Sequence, residues 1–318
     1  MQKKIIALAV AGLVSSAAFA QSNVTIYGIV DMAAMRTDVD GAKEARFGID
    51  AGKQSGSRLG FKGVEDLGGG LKAVFNIEFG SLALDLAANN VGNTRQSYIG
   101  LTGDFGTAVA GRLQTAGYDF SNAIGAMSGS VFDPMQNVGA FTLVNIGSRA
   151  DNAVAYISPS FSGLTFAVNH ARLTELFAED NVATLLSAKY ATGPIAAELV
   201  YSKLDVAAKN GDVDEWALRG SYNFGAATLF GAYQVEDKDN GRDDDKWTLG
   251  VTVPVGAFGI TAQYASLDRD GGNDSDSYAL FATYDLSKRT NLYGGVSQVN
   301  VDRGNDTTQF GLGVRHKF

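Results

Sequence analysis

The amino-acid sequence predicts an all-β protein, a transmembrane antiparallel β-barrel of 16 strands with one long connection suited to fold back inside it. Three observations carry this reading. Period-2 alternation of apolar and polar residues runs along most of the chain, while helical periodicity is hard to find. Tight turns rich in Asn, Asp and Gly alternate with longer acidic loops. Tyr and Trp gather near strand ends (Tyr98, Tyr156, Tyr201, Trp216, Trp247, Tyr264, Tyr278 and Tyr284), as in the aromatic girdles of membrane barrels.

The first 20 residues read as a signal peptide. Lys3 and Lys4 form a positive start, Ile5 to Val14 is a short apolar core, and Ala18-Phe19-Ala20 supplies a small-x-small cleavage site before Gln21. Residues 21–318 then form one barrel domain. Loss of the two lysines takes the net charge from −8 to −10.

Sixteen strand candidates follow, at roughly 23–35, 55–64, 71–80, 94–102, 107–112, 149–157, 164–171, 184–191, 195–203, 214–223, 226–234, 246–254, 259–266, 277–285, 291–299 and 307–318. The first sets Val24, Ile26, Gly28, Val30 and Met32 against Thr25, Tyr27, Ile29 and Asp31. A later one sets Trp247, Leu249, Val251 and Val253 against Thr248, Gly250 and Thr252. The strands at 94–102 and 107–112 alternate poorly, so their existence is clearer than their facing. Short turns such as 65–70, 103–106 and 285–289 close one end, and long stretches such as 235–245 and 267–276 read as loops at the other. A soluble sheet also alternates. The even strand count, spans of about 9–11 residues and aromatic strand ends select a lipid bilayer. Closure is then obligatory, because no backbone N–H or C=O can face lipid unpaired.

Several function classes are excluded. With no Cys and only 2 His, a Cys/His zinc site, a disulfide framework and a cysteine nucleophile are out. A chain of net charge −8 does not read as a nucleic-acid binder. Asp237-Lys238-Asp239-Asn240-Gly241 places Gly where a calcium loop needs a ligand and lacks the closing Glu, so it reads as a solvated face. Gly68-Gly69-Gly70 precedes a strand rather than a helix, so it is no phosphate loop. No cofactor is expected. A barrel of 16 strands is wide enough to hold water, and inward Thr, Ser, Asn, Gln, Gly and charged residues make that interior a hydrophilic channel.

The segment from Ser57-Arg58-Leu59-Gly60 through Glu65-Asp66-Leu67-Gly68-Gly69-Gly70, the run Tyr222-Asn223-Phe224-Gly225, the turn Asp285-Leu286-Ser287-Lys288-Arg289-Thr290 and the terminal Gly313-Val314-Arg315-His316-Lys317-Phe318 resemble the Gram-negative general porins, in their β-proteobacterial anion-selective branch. The resemblance implies an outer-membrane homotrimer of 16-stranded barrels among lipopolysaccharide and outer-membrane lipids. Each barrel would pass small anions and hydrophilic solutes through a pore narrowed by an infolded third loop. It also implies that Phe318 is an assembly signal.

The constriction can be placed. Residues 113–148 form the longest connection, with Asp119 and Asp133 its only ionised residues, which suits it to fold into the lumen rather than extend into water. Arg58 sits on the polar parity of its strand, opposite Leu59 and Phe61, and Glu78 is likewise inward between Ile77 and Phe79. The resemblance implies that Arg58, Arg95 and Arg149 form a basic cluster with Glu78 and Asp119 as acidic partners. Lys62 and Lys72 read as inward residues near the periplasmic mouth, and Arg219 as a further lumen-lining cation. Because a field acts where charges are focused in a narrow low-dielectric zone, the expectation is an anion preference despite acidic loops.

Two other classes stay open on the residues. A barrel-embedded lipid hydrolase would need His170 or His316 as base, and neither has an evident Ser-and-acid setting. An adhesin or receptor barrel would have no open channel. The expectation is a channel and no enzyme.

Overall fold

The computed structural model describes residues 23–80, 92–139, 148–173, 181–206 and 211–318, so the expected signal peptide lies outside the described residues. The strands are β1 (Asn23–Val39), β2 (Arg46–Ala51), β3 (Arg58–Gly68), β4 (Leu71–Gly80), β5 (Asn93–Gly103), β6 (Gly106–Gln114), β7 (Arg149–Ile157), β8 (Leu164–Arg172) and β9 (Val182–Thr192). They continue as β10 (Ile195–Asp205), β11 (Val213–Asn223), β12 (Thr228–Lys238), β13 (Arg242–Val255), β14 (Phe258–Arg269), β15 (Ser275–Asp285), β16 (Thr290–Val301) and β17 (Thr307–Lys317). Two short helices, α1 (Ala116–Asn122) and α2 (Pro134–Asn137), lie between β6 and β7.

Each strand pairs antiparallel with its neighbours, and β17 pairs with β1 from Ile29↔Lys317 to Val39↔Thr307, which closes the cylinder. All sixteen expected strands are present; β2 is additional. The second half of β1 pairs with β2 (Met32↔Ala51 to Thr37↔Arg46) and the first half with β3 (Asn23↔Val64 to Ile29↔Arg58). β2 and β3 therefore form one interrupted stave, and the barrel has 16.

The burial pattern is inverted relative to a water-soluble protein. On β13, Lys246 and Thr248 are buried while Trp247 and Leu249 beside them are 43% and 60% exposed. On β11, Glu215, Ala217 and Arg219 are buried while Trp216 and Leu218 are exposed. Alternation therefore puts the apolar face on the outside, where only acyl chains offer it a favourable solvent. Outward rings form two belts. Trp216, Tyr233, Trp247, Tyr264 and Tyr278 lie toward the long connections, and Tyr222, Phe258 and Tyr284 toward the short turns. On β11, Trp216 and Tyr222 are six residues apart, about 20 Å at ~3.3 Å per residue, close to the apolar band of ~25 Å that such barrels carry.

Three expectations need correction. The stretch at 235–245 is not a loop: β12 runs to Lys238 and β13 restarts at Arg242, with Asp237↔Asp243 and Lys238↔Arg242 paired. The stretch at 267–276 is likewise partly strand, since β14 reaches Arg269 and β15 begins at Ser275. In both, ladder pairing continues past the aromatic belt into acidic sequence that composition alone assigns to a loop. Tyr98 is not a girdle residue: it pairs with inward Asn76, while its neighbours Ile99 (67% exposed) and Leu101 point outward.

The terminal residue is locked into the seam. Phe318 exchanges two backbone hydrogen bonds of 3.1 Å with Gly28, and its ring lies where a Cβ on residue 28 would stand. Gly28→Val should therefore strike both the Phe318 ring and the Arg58 carbonyl of β3 and open the seams that β1 makes with β17 and β3, lowering the yield of heat-modifiable folded barrel on an unheated gel by several-fold. An unchanged yield would mean that the terminal ring does not contribute to closure.

Candidate functional site

The connection from β6 to β7 lies inside the barrel over its described part, residues 115–139. Thr115 caps α1, its Oγ1 accepting the Tyr118 N–H at 3.2 Å. Asp133 caps α2, with Pro134 at the first helical position, where a missing N–H costs nothing. Phe120, Ile124, Met127, Phe132, Met135 and Val138 are buried against the inner wall. α1 packs on β8, β9 and β10, and α2 on β13 through β16. The ring of Phe132 sits 5.8 Å from that of Phe281 on β15.

Polar anchors repeat along this path. Arg219 of β11 donates from Nη1 to the Ala123 carbonyl at 2.9 Å, and its Nε donates to Glu198 Oε2 at 2.9 Å. Gln263 Nε2 of β14 donates to Asp133 Oδ1 at 3.2 Å, and Ser275 Oγ donates to the Val138 carbonyl at 3.3 Å. The described part of the segment thus covers the wall from β8 to β16, with the lumen against β1 and β3–β7.

The predicted basic cluster lies on that lumen-facing wall. Arg95 Nε donates to Glu78 Oε1 at 2.7 Å, and the Tyr27 hydroxyl lies 3.0 Å from Glu78 Oε2 and 2.8 Å from Asn76 Oδ1. Arg58 Nε donates to the Gly56 carbonyl at 3.0 Å. Arg149 stacks its guanidinium 4.8 Å from the centroid of the Tyr118 ring. Arg58, Arg95, Arg149, Glu78 and Tyr118 lie within electrostatic reach of one another. Arg95 and Arg149 both stand beside Tyr118; burial raises its phenol, and the two guanidiniums outweigh that and hold it below the usual value.

The poor alternation of β5 has a cause. Glu78 pairs with Gln96 but Phe79 pairs with Thr94, so Arg95 is an extra residue in a β-bulge. The bulge turns Arg95 inward against strict parity. Gly80 accommodates it, since a Cβ there would strike the Arg95 side chain. A second irregularity, between Gly111 and Leu113, adjoins Arg149.

The other predicted residues separate. Asp119 is bound by the Gln114 amide and lies near Lys189, Arg149 and Glu198 rather than beside Glu78. Lys62 stands over the Tyr27 ring at 5.2 Å, and Lys72 is exposed near the short-turn end. Arg219 points inward, but it is buried under the infolded segment, so it does not face the open lumen. His170 and His316 face outward and bond Thr184 (3.0 Å) and Thr290 (2.8 Å). Three residues of the site, Tyr27, Tyr118 and Lys189, escape the sequence reading. Inward parity was the available signal for Tyr27 and Lys189, and for Tyr118 none was.

Asp133 is fully enclosed. Burial pushes its carboxyl up to about 7, against hydrogen bonds from the Gly129 and Met135 amides and from Gln263 that pull it down. Its folded value thus lies above the unfolded 3.8, so the stability it supports is complete below about pH 3.8 and is lost as pH rises through about 7. Asp133→Asn should flatten the dependence of unfolding midpoint on pH between about 4 and 8. A slope identical to wild type would remove Asp133 from this role.

A model of the Gram-negative porin family matches residues 7–304. The chain belongs to the Gram-negative porins. Outer membrane porin protein 32 of Delftia acidovorans is 36% identical over 247 residues, covering 74% of this chain and 69% of that protein. An outer membrane porin protein of Bordetella pertussis is 32% identical over 276 residues, covering 73% of this chain and 69% of that protein. Among solved structures, the anion-selective porin from Comamonas acidovorans superposes with a TM-score of 0.82 at 30% identity, covering 94% of this chain and 100% of that one. This porin is accordingly an integral outer-membrane β-barrel and a channel for hydrophilic solutes. Its short turns are the periplasmic ends of the strands and its long connections the extracellular ones.

Proposed function

We propose that this porin is an anion-preferring diffusion channel without catalytic activity, whose constriction is formed by Arg58, Arg95 and Arg149 with Glu78 and Asp119. The observation that carries this is the convergence of three guanidiniums on the wall that the described part of the infolded segment leaves uncovered. Glu78 engages Arg95, and Arg149 stacks on Tyr118, which also lies beside Arg95. Three cations meet one directly paired carboxylate, and a field focused between low-dielectric walls favours anions there. Lys62 and Lys72 extend positive charge toward the periplasmic mouth. A Comamonas acidovorans relative named as anion-selective supports the same sign.

Residues 1–20 would direct export and be removed. A homotrimer fits the outer surface. Outward-facing Tyr and Trp occur from Tyr156 to Tyr284, on β7 through β15, and none lies on the described outer face of β16, β17 or β1–β6. An interfacial belt missing from one side of a barrel leaves that side for neighbouring protomers, while the girdled side meets lipopolysaccharide and outer-membrane lipid.

Swelling of liposomes containing the purified protein tests this reading. Rates should be higher for a small anionic solute than for a cationic one of equal size, with a neutral sugar between. A cation-favouring order would overturn it.

A further inference from the structure

The interruption between β2 and β3 has a job of its own. β1 pairs Met32 with Ala51 and Ile29 with Arg58, so six residues, 52–57, stand opposite only Val30 and Asp31. β1 stays regular on its other edge, where Asp31 pairs with Arg315. The surplus backbone cannot bulge toward lipid, where its polar groups would be unpaired. It turns into the lumen instead.

There it is tied to one side chain. Asp31 is 0% exposed. Its Oδ2 accepts the Gln54 N–H at 2.9 Å and the Ser55 N–H at 2.6 Å, and its Oδ1 accepts the Tyr293 hydroxyl at 2.5 Å. The Asp31 amide donates to Ser57 Oγ at 3.1 Å. From β17 and β16, Arg315 Nη1 donates to Ser55 Oγ at 3.1 Å and Asn291 Nδ2 to Gln54 Oε1 at 2.9 Å. The knob so formed touches both sides of the constriction. Its Gly56 carbonyl accepts from Arg58, and its Lys53 carbonyl accepts the backbone N–H of Val131, in the infolded segment, at 2.9 Å. Tyr293 meanwhile packs in the same apolar cluster as Phe281 and Phe132.

We propose that residues 52–57 are a second constriction element: an inward knob, held by Asp31, that meets the tip of the infolded segment at Val131 and closes the pore eyelet into a continuous ring. Asp31 is a positioning residue. It sets where Arg58 stands and keeps the infolded tip from swinging, and it touches no permeating ion itself. This rests on the channel reading but not on its anion preference.

The chain contains no cysteine, so a pair introduced by Lys53→Cys and Val131→Cys would supply its only thiols. The backbone bond between these residues brings them within the span a disulfide bridges. In otherwise wild-type protein, oxidation should link them in the folded barrel and leave single-channel conductance at the value the same variant shows when reduced. Asp31→Ala should raise conductance and its fluctuations, shift the ion permeability ratio toward one, and keep the heat-modifiable mobility of a folded barrel. Adding the oxidised pair to Asp31→Ala should bring both to the values of the oxidised pair alone, which a merely structural role for Asp31 would not predict. A folded Asp31→Ala channel with wild-type conductance and ion ratio overturns the proposal. So does an introduced thiol pair that fails to link, or whose linking blocks the pore, in the wild-type background; this arm holds even where Asp31→Ala does not fold. A wild-type channel that prefers cations would defeat the anion reading and leave these outcomes intact.

Discussion

Replacing Arg58, Arg95 and Arg149 together with serine is expected to abolish the anion preference and leave a weakly cation-selective pore. Each guanidinium acts on a permeating ion across a wet gap, where a unit charge at about 4 Å is worth about 1 kcal/mol, a factor of roughly five in partition. Single replacements of Arg58 or Arg149 should each lower the anion-to-cation permeability ratio by about that factor. Arg95 should behave differently. Its Nε holds Glu78 at 2.7 Å, so Arg95→Ser also frees a carboxylate that Tyr27 alone then engages. Its effect on the ratio should be the largest of the three, and adding Glu78→Gln should recover part of it. Serine keeps each inward position hydrophilic, so the barrel should still fold; because Arg149 stacks on Tyr118 of the infolded segment, the Arg149 and triple variants should show a lowered unfolding midpoint while keeping the heat-modifiable mobility of a folded barrel. A triple variant with wild-type selectivity would place the selectivity elsewhere.

The second large effect concerns what holds the infolded segment down. Arg219 and Glu198 are each 5% exposed and paired beneath it, and Arg219 also holds the Ala123 carbonyl. Arg219→Met leaves the Glu198 carboxylate enclosed without its partner, a change that costs about 3–5 kcal/mol when one member of a buried pair is removed. The segment should release, seen as a lower midpoint of unfolding in detergent and a noisier, wider channel. The double variant Arg219→Met with Glu198→Leu should recover most of the midpoint, because exchanging a buried pair for apolar residues is often neutral or better. Conductance should recover less, since the Ala123 anchor remains lost. Equal destabilisation in the single and double variants would show that the pair is not coupled.

The barrel is legible in the sequence because its physics is local and repetitive. Strict alternation, as at Trp247 against Thr248, and turn residues at regular spacing specify strand, facing and closure together. The expectations that failed lie where that period breaks or loses its contrast. Arg95 is inward through a bulge that pairing, not parity, creates. Tyr98 takes its inward facing from pairing with Asn76, although an aromatic near a strand end reads as girdle. The acidic runs around Asp237, Asp243 and Asp268 are polar on both faces above the membrane, so alternation carries no signal although the ladder continues. β2 and the knob at 52–57 are set by long-range contacts from Asp31, Tyr293 and Val131, which no spacing within the segment encodes. Arg58 and Glu78 are readable from parity. That Arg219 lies under a roof rather than in open water depends on a segment almost a hundred residues away.

The measurement that bears most directly on all of this is the reversal potential of single wild-type channels in a planar bilayer across a salt gradient. The arrangement of guanidiniums predicts discrete conductance steps and a potential of anion-selective sign that weakens as salt rises and screens the charges. Discrete steps with a cation-selective sign, or no conductance from folded protein, would contradict it.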